Sequence, residues 1–270
     1  MRIRPCIDIH NGRVKQIVGG TLQDQKESAA ATAQENFVSD RDASYYASVY
    51  REMGLGGGHI ILLNSIKEDA YREDLKQALG ALRAFPGGMQ IGGGITPETA
   101  GDLLDAGASH VIVTSYVFRD GKLNMDALSD MIGAAGRERL VLDLSCRRTN
   151  AGRYLVVTDR WQKFTDLEIS ADCLDRLSGY CDEFLIHAAD VEGKRSGIEE
   201  DLVTILGSWQ KHSGFPVTYA GGVHSFADLH LIGKLSGGAM DVTVGSALKL
   251  FGGDLELQDL VETAVKIRSR

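Results

Sequence analysis

Eight apolar runs of strand length alternate with eight helical stretches along this chain, and no other feature narrows the fold as far. The runs are residues 3–9, 59–63, 89–91, 110–113, 140–144, 183–187, 217–219 and 241–244. Stretches with helical periodicity lie between and after them, at 43–53, 70–84, 97–106, 125–135, 170–178, 199–209, 225–235 and 257–268. A strand that rejoins its sheet only after a helix pairs in parallel, so the alternation predicts an α/β fold around a parallel sheet. Eight units favour closure into a (β/α)8 barrel of the TIM type, a single domain over residues 1–270, with an open doubly wound sheet as the structural alternative. Thr96-Pro97-Glu98 supplies the matching punctuation: an N-cap, a proline at the first helical position and an acid in the first turn.

Composition sets limits on partners. No apolar run reaches the roughly 18 residues of a membrane-spanning helix, and the chain opens on a strand-like run instead of the apolar core of a secretory signal. A net charge of -8 argues against nucleic acid. Cys6, Cys146, Cys173 and Cys181 form no C-x-x-C pair and fit no zinc spacing, so they read as reduced thiols of a cytoplasmic protein, and no metal is expected. Anionic ligands remain open, because backbone amides bind phosphate without basic side chains.

Two aspartates stand where apolar residues belong. Asp8 lies near the C-terminal end of the first run and Asp143 in the same place in the fifth. One alone reads as a turn cap or an ion-pair partner; two in matching places read as a catalytic acid and base. Glycines repeat in the same way. Gly92-Gly93-Gly94 follows the third run and Gly221-Gly222 the seventh; Thr114-Ser115 ends the fourth and Gly245-Ser246 the eighth. All three features recur at an interval of roughly 130 positions, four β/α units, so the barrel is predicted to consist of two similar (β/α)4 halves. Each glycine group precedes a helix start, where a bare backbone and free amides admit a phosphate. Gly93, Gly94, Thr114 and Ser115 then form one anion site. Gly197, Gly221, Gly222, Gly245 and Ser246 form a second across the mouth. The ligand implied is a small molecule with a phosphate at each end and its middle over the two aspartates.

The wording around these residues is specific. Arg4-Pro5-Cys6-Ile7-Asp8-Ile9-His10-Asn11-Gly12 resembles the ProFAR isomerase family of histidine biosynthesis, in the form found in yeasts and other eukaryotes. So do Phe184-Leu185-Ile186-His187-Ala188-Ala189-Asp190 and Val244-Gly245-Ser246-Ala247-Leu248, and the likeness covers essentially the whole chain. The resemblance implies a substrate with two phosphates and an Amadori rearrangement of an aldose-type aminoribosyl unit into a ketose-type ribulosyl unit. It implies no metal, no organic cofactor and no obligate protein partner. It also makes Asp8 the general base and Asp143 the general acid, a direction the sequence itself does not show. His10, Gly20, Trp161 and His187 are assigned to substrate binding.

Against the common bacterial pattern, His10 replaces a lysine, Leu62 an aspartate, His187-Ala188 a threonine–aspartate pair, Thr96 an arginine and Thr114 a glycine. His187 either faces the mouth, bonding a sugar hydroxyl or assisting Asp143, or packs as a satisfied imidazole. Trp161 stacks on the substrate or packs under a hairpin. Residues 19–40 and 147–168 read as long loops at the mouth, the second with a hairpin arm at 154–157. Arg147 and Arg153 read as solvated, and Asp190 and Glu192 as holding their loop. Two other functions fit the same framework: the cyclase subunit of imidazole glycerol phosphate synthase, which takes ammonia from a glutaminase, and a non-catalytic phosphate-ligand-binding barrel.

Overall fold

Pro5 divides the first strand without turning it. Ile3–Arg4 and Cys6–His10 continue each other on either side of it and together form β1. The structure is a computed structural model that describes residues 1–18, 35–159 and 161–268. Seven more parallel strands follow: β2 (Gly58–Leu62), β3 (Met89–Gly92), β4 (Val111–Val113), β5 (Leu140–Asp143), β6 (Glu183–His187), β7 (Val217–Ala220) and β8 (Asp241–Thr243). Each pairs with the next. The first part of β1 pairs with β8 through Ile3↔Val242 and the second with β2 through Asp8↔Ile61, so the sheet closes on itself. This is the (β/α)8 barrel that the alternation predicts.

The outer helices are α1 (Ala43–Glu52), α2 (Tyr71–Ala84), α3 (Pro97–Asp105), α4 (Met125–Ala135), α5 (Ala171–Ser178), α6 (Glu200–Ser213), α7 (Phe226–Ser236) and α8 (Leu257–Arg268). Each buries one stripe, as in α2 with Ala78, Ala81 and Leu82. The sequence reading ends α6 at residue 209; the helix runs to Ser213. Lys211 and His212 suit its last turn, and Gly214, at φ 65°, stops it in the left-handed region.

Side chains that point inward alternate along every strand and stack in layers. The floor is polar. Arg4 donates to Asp241 at 2.9 Å and to Glu183 at 3.1 Å, and Gln90 donates to Glu183 at 2.9 Å. Above it, Ile61, Ile112, Val141 and Leu185 form an apolar plug. The C-terminal ends of the strands open above that plug.

Two antiparallel additions shape this end. Asn11 (φ 53°) and Gly12 (φ 72°) make a two-residue hairpin turn that needs positive φ at both central positions. The chain returns as Arg13–Ile17 with Asp8 opposite Lys15, and Glu35–Val38 pairs with that return strand. The expected loop 19–40 therefore ends in a strand; residues 19–34 lie outside the described residues. After β5, Cys146–Arg148, Tyr154–Thr158 and Lys163–Glu168 form a three-stranded sheet, more than the hairpin arm expected there.

Candidate functional site

Strand alternation alone turns Asp8 and Asp143 into the barrel, at the C-terminal ends of β1 and β5, where they line a cavity of about 530 Å³. Their surroundings differ. Oδ1 of Asp143 accepts hydrogen bonds from the Ser145 backbone N–H at 2.8 Å and the Ser145 hydroxyl at 2.7 Å, and Nδ1 of His187 lies 3.4 Å from the same oxygen. Burial acts to raise the Asp143 carboxyl, but the His187 charge and these bonds outweigh it and hold it below its ordinary value. Burial likewise acts against the His187 charge. Asp143 overcomes it, with help from Glu192 and Asp8, and the imidazole is pushed up to about 9. At neutral pH Asp143 is therefore ionised, whereas the resemblance makes it the protonated acid. The proton of the pair sits on His187.

Asp8 lacks such support. Oδ2 receives one long hydrogen bond, 3.3 Å, from the Gln16 side chain. Burial, reinforced by Glu192, pushes its carboxyl up to about 7 against the pull of His187. A carboxyl with that affinity can take up and release a proton near neutrality. His59, inward on β2 with its ring 5.6 Å from that of His187, is pushed down to about 3 by burial and by His187, and stays neutral.

His187 thus faces the mouth. Trp161 lies with its ring 5.9 Å from the imidazole and tilted by 41°, and lines the cavity from a backbone at φ 65°. That conformation is costly for a bulky residue and sits at the mouth, where strain tends to gather.

The two halves match in detail. Gly93 and Gly94 have φ of 100° and 71°, Gly221 and Gly222 of 125° and 75°. Both following helices open on reciprocal caps: Thr96 N–H donates to the Thr99 hydroxyl at 3.1 Å, and Ser225 N–H to Asp228 at 2.9 Å. Gly93, Gly94, Thr114 and Ser115 line the cavity from β3 and β4; Gly221, Gly222, Gly245 and Ser246 line it from β7 and β8, four strands away. The glycines answer to packing as well as to any ligand. A Cβ on Gly93 would run into the Leu62 carbonyl, and one on Gly222 into the Gly197 carbonyl.

Some assignments move. Gly197 does not line the cavity; its N–H donates to the Gly222 carbonyl at 3.2 Å, so it braces that turn from behind. His10 is half-buried beside the hairpin turn and also stays out of the lining. Gly20 lies outside the described residues. Arg147 pairs with Asp190 at 2.8 Å and Arg153 with Glu168 at 3.3 Å, on the loop face as expected. Asp190 also accepts from the Arg148 N–H, and so holds its loop. Glu192 instead lines the cavity, its carboxyl raised by burial. Gln16, His59, Ser145 and Arg195 line or brace the site without having been singled out in the sequence. For Gln16 a signal exists: the Asn-Gly turn sets 10 opposite 13, and that register carries residues 15 and 16 back beside Asp8.

The sequence profile of the family described as histidine biosynthesis protein matches residues 2–255. The chain belongs to the histidine biosynthesis protein family. Among relatives of this family member, a chloroplastic protein of Medicago truncatula is 50% identical over 97% of the chain and 81% of its own length. A Neurospora crassa protein is 46% identical over 97% of each, and a Saccharomyces cerevisiae protein 46% identical over 93% of this chain and 92% of its own. All three are named 1-(5-phosphoribosyl)-5-((5-phosphoribosylamino)methylideneamino)imidazole-4-carboxamide isomerase, that is, ProFAR isomerase. The names agree with the isomerase resemblance and not with the cyclase. Among the described residues of this family member, no helix is long and apolar enough to cross a membrane.

Proposed function

We propose that this histidine biosynthesis protein is a ProFAR isomerase, which converts the aminoribosyl end of ProFAR to its ribulosyl isomer by an Amadori rearrangement. The observation that carries this reading is the pair Asp8 and Asp143 at equivalent ends of β1 and β5, between two glycine pairs of the same conformation. Both phosphates of the substrate lie at those glycine ends, held by backbone amides and by the hydroxyls of Ser115 and Ser246, with Arg195 at the rim. The sugar to be opened then lies over the aspartates. Proton delivery from the Asp143 side opens the ribose ring, and Asp8 removes the proton from the carbon next to the anomeric centre. These steps ask for no metal and no organic cofactor. A reducing compartment is in keeping with four cysteines that are all buried free thiols.

The test is product analysis with purified protein and ProFAR, in the absence of ammonia and glutaminase. The expected result is an isomer of unchanged mass carrying a ribulosyl end. Tight binding of ProFAR without conversion supports the binding barrel instead, and a product that requires ammonia supports the cyclase.

A further inference from the structure

We propose that His187, rather than Asp143, hands the proton to the sugar ring oxygen, and that Asp143 is its positioning carboxylate. The proposal rests on the isomerase reading of the cavity and names the acid within it. The surroundings of Asp143 favour its anion over its acid form. Its Oδ1 already accepts two bonds from Ser145, and Nδ1 of His187 is directed at the same oxygen at 3.4 Å. A carboxyl gathered by that many donors is stabilised as the anion. Nδ1 directed at Asp143 leaves Nε2 on the cavity side, where no partner among the described residues holds it. The ring packs beside His59 at 5.6 Å and Trp161 at 5.9 Å. An imidazole held at one nitrogen by a buried carboxylate, with its other nitrogen turned to the substrate, is a proton carrier by construction.

The charges that face the ring agree. Asp143 approaches from β5, Asp8 from β1 and Glu192 from the loop after β6; His59 from β2 stays neutral, and Arg195 lines the same cavity. The carboxylates keep the imidazolium protonated up to about pH 9.

The step balances. The Nε2 proton passes to the ring oxygen as the bond from the anomeric carbon to that oxygen breaks, its electron pair staying on oxygen. The lone pair of the anomeric nitrogen forms a C=N bond. Asp8 takes the proton from the neighbouring carbon, giving an enaminol, and returns it to the anomeric carbon. The hydroxyl on the neighbouring carbon becomes the carbonyl, and its proton restores the His187 imidazolium.

His187→Gln tests this, because its amide N–H can still hold Asp143 while the side chain carries no titrating proton. The expected result is a kcat lower by about 10² to 10⁴ with KM within a few fold of wild type, and loss of the alkaline limb of the pH–rate profile near pH 9. Nitrogen NMR of the imidazole gives a readout that needs no turnover. His187 should titrate near 9 in the wild type and clearly lower in Asp143→Asn, where only Glu192 and Asp8 are left to offset burial. A His187→Gln protein that keeps both the rate and the alkaline limb overturns the assignment to His187 alone, as does a wild-type His187 that titrates at or below the ordinary value. A wild-type protein that does not convert ProFAR overturns the isomerase reading itself.

Discussion

Asp8 holds its charge in surroundings that resist it, and this has a cost outside catalysis. Its folded carboxyl sits at about 7 against an ordinary 3.8, so the stability it contributes is present below pH 3.8 and is lost as pH rises through 7. Asp8→Asn should therefore raise stability above pH 7, by on the order of 1–4 kcal/mol, and should leave it little changed near pH 4. Denaturant unfolding of both proteins at pH 4 and pH 8 checks it; equal midpoints at pH 8 would mean that Asp8 is not held at a cost. His187 runs in the same direction from another cause. With its imidazole raised to about 9, its contribution is complete below about 6.5 and disappears as pH passes 9. Both aspartates were legible in the sequence because a charge inside an apolar run stands out. Glu192 was not, because its place in the cavity depends on how the loop after β6 is laid over the mouth, and His59 was not, because a histidine opening a strand carries no mark of the face it takes.

At the scale of elements, the strand ends do the positioning. Gly93-Gly94 and Gly221-Gly222 share positive φ at both positions and line the cavity from equivalent strand ends. Substituting those glycines tests little, since Leu62 and Gly197 already forbid a side chain there. Ser115 is exposed at the end of the same layer and is the better probe. Ser115→Asp should raise KM for ProFAR about 10- to 100-fold through repulsion of a phosphate, with little change in melting temperature. An unchanged KM would remove the first anion site from the account. Helix starts marked by a cap agreed with the sequence to within a residue, as at Thr96 and Ser225, whereas the end of α6 at Gly214 was read four residues short. The strand Glu35–Val38 went unread because its partner, Arg13–Ile17, is itself an addition to the barrel and not one of the eight repeating units.

The whole molecule divides into a face that stabilises and a face that reacts. Arg4, buried with Glu183 and Asp241, ties the floor together far below the aspartates. Arg4→Met leaves Glu183 buried without its cation and Asp241 to Arg2 alone, and should destabilise the protein by about 3–5 kcal/mol, while the folded fraction keeps its kcat. Loss of kcat in fully folded protein would show that floor and mouth are coupled. The barrel and its twofold character were legible in the sequence because repetition is a property of the whole chain. The floor network was not, because its members lie far apart in sequence and meet only when the sheet closes. The central claim is that Asp8 at the end of β1 and the Asp143–His187 pair at the ends of β5 and β6 carry the acid–base chemistry on ProFAR, and it is tested most directly by kcat for ProFAR in the wild type, Asp8→Asn and Asp143→Asn, with folding verified by circular dichroism. The account predicts conversion by the wild type and a loss of at least about 10² in each folded variant. Conversion at the wild-type rate by either variant would contradict it.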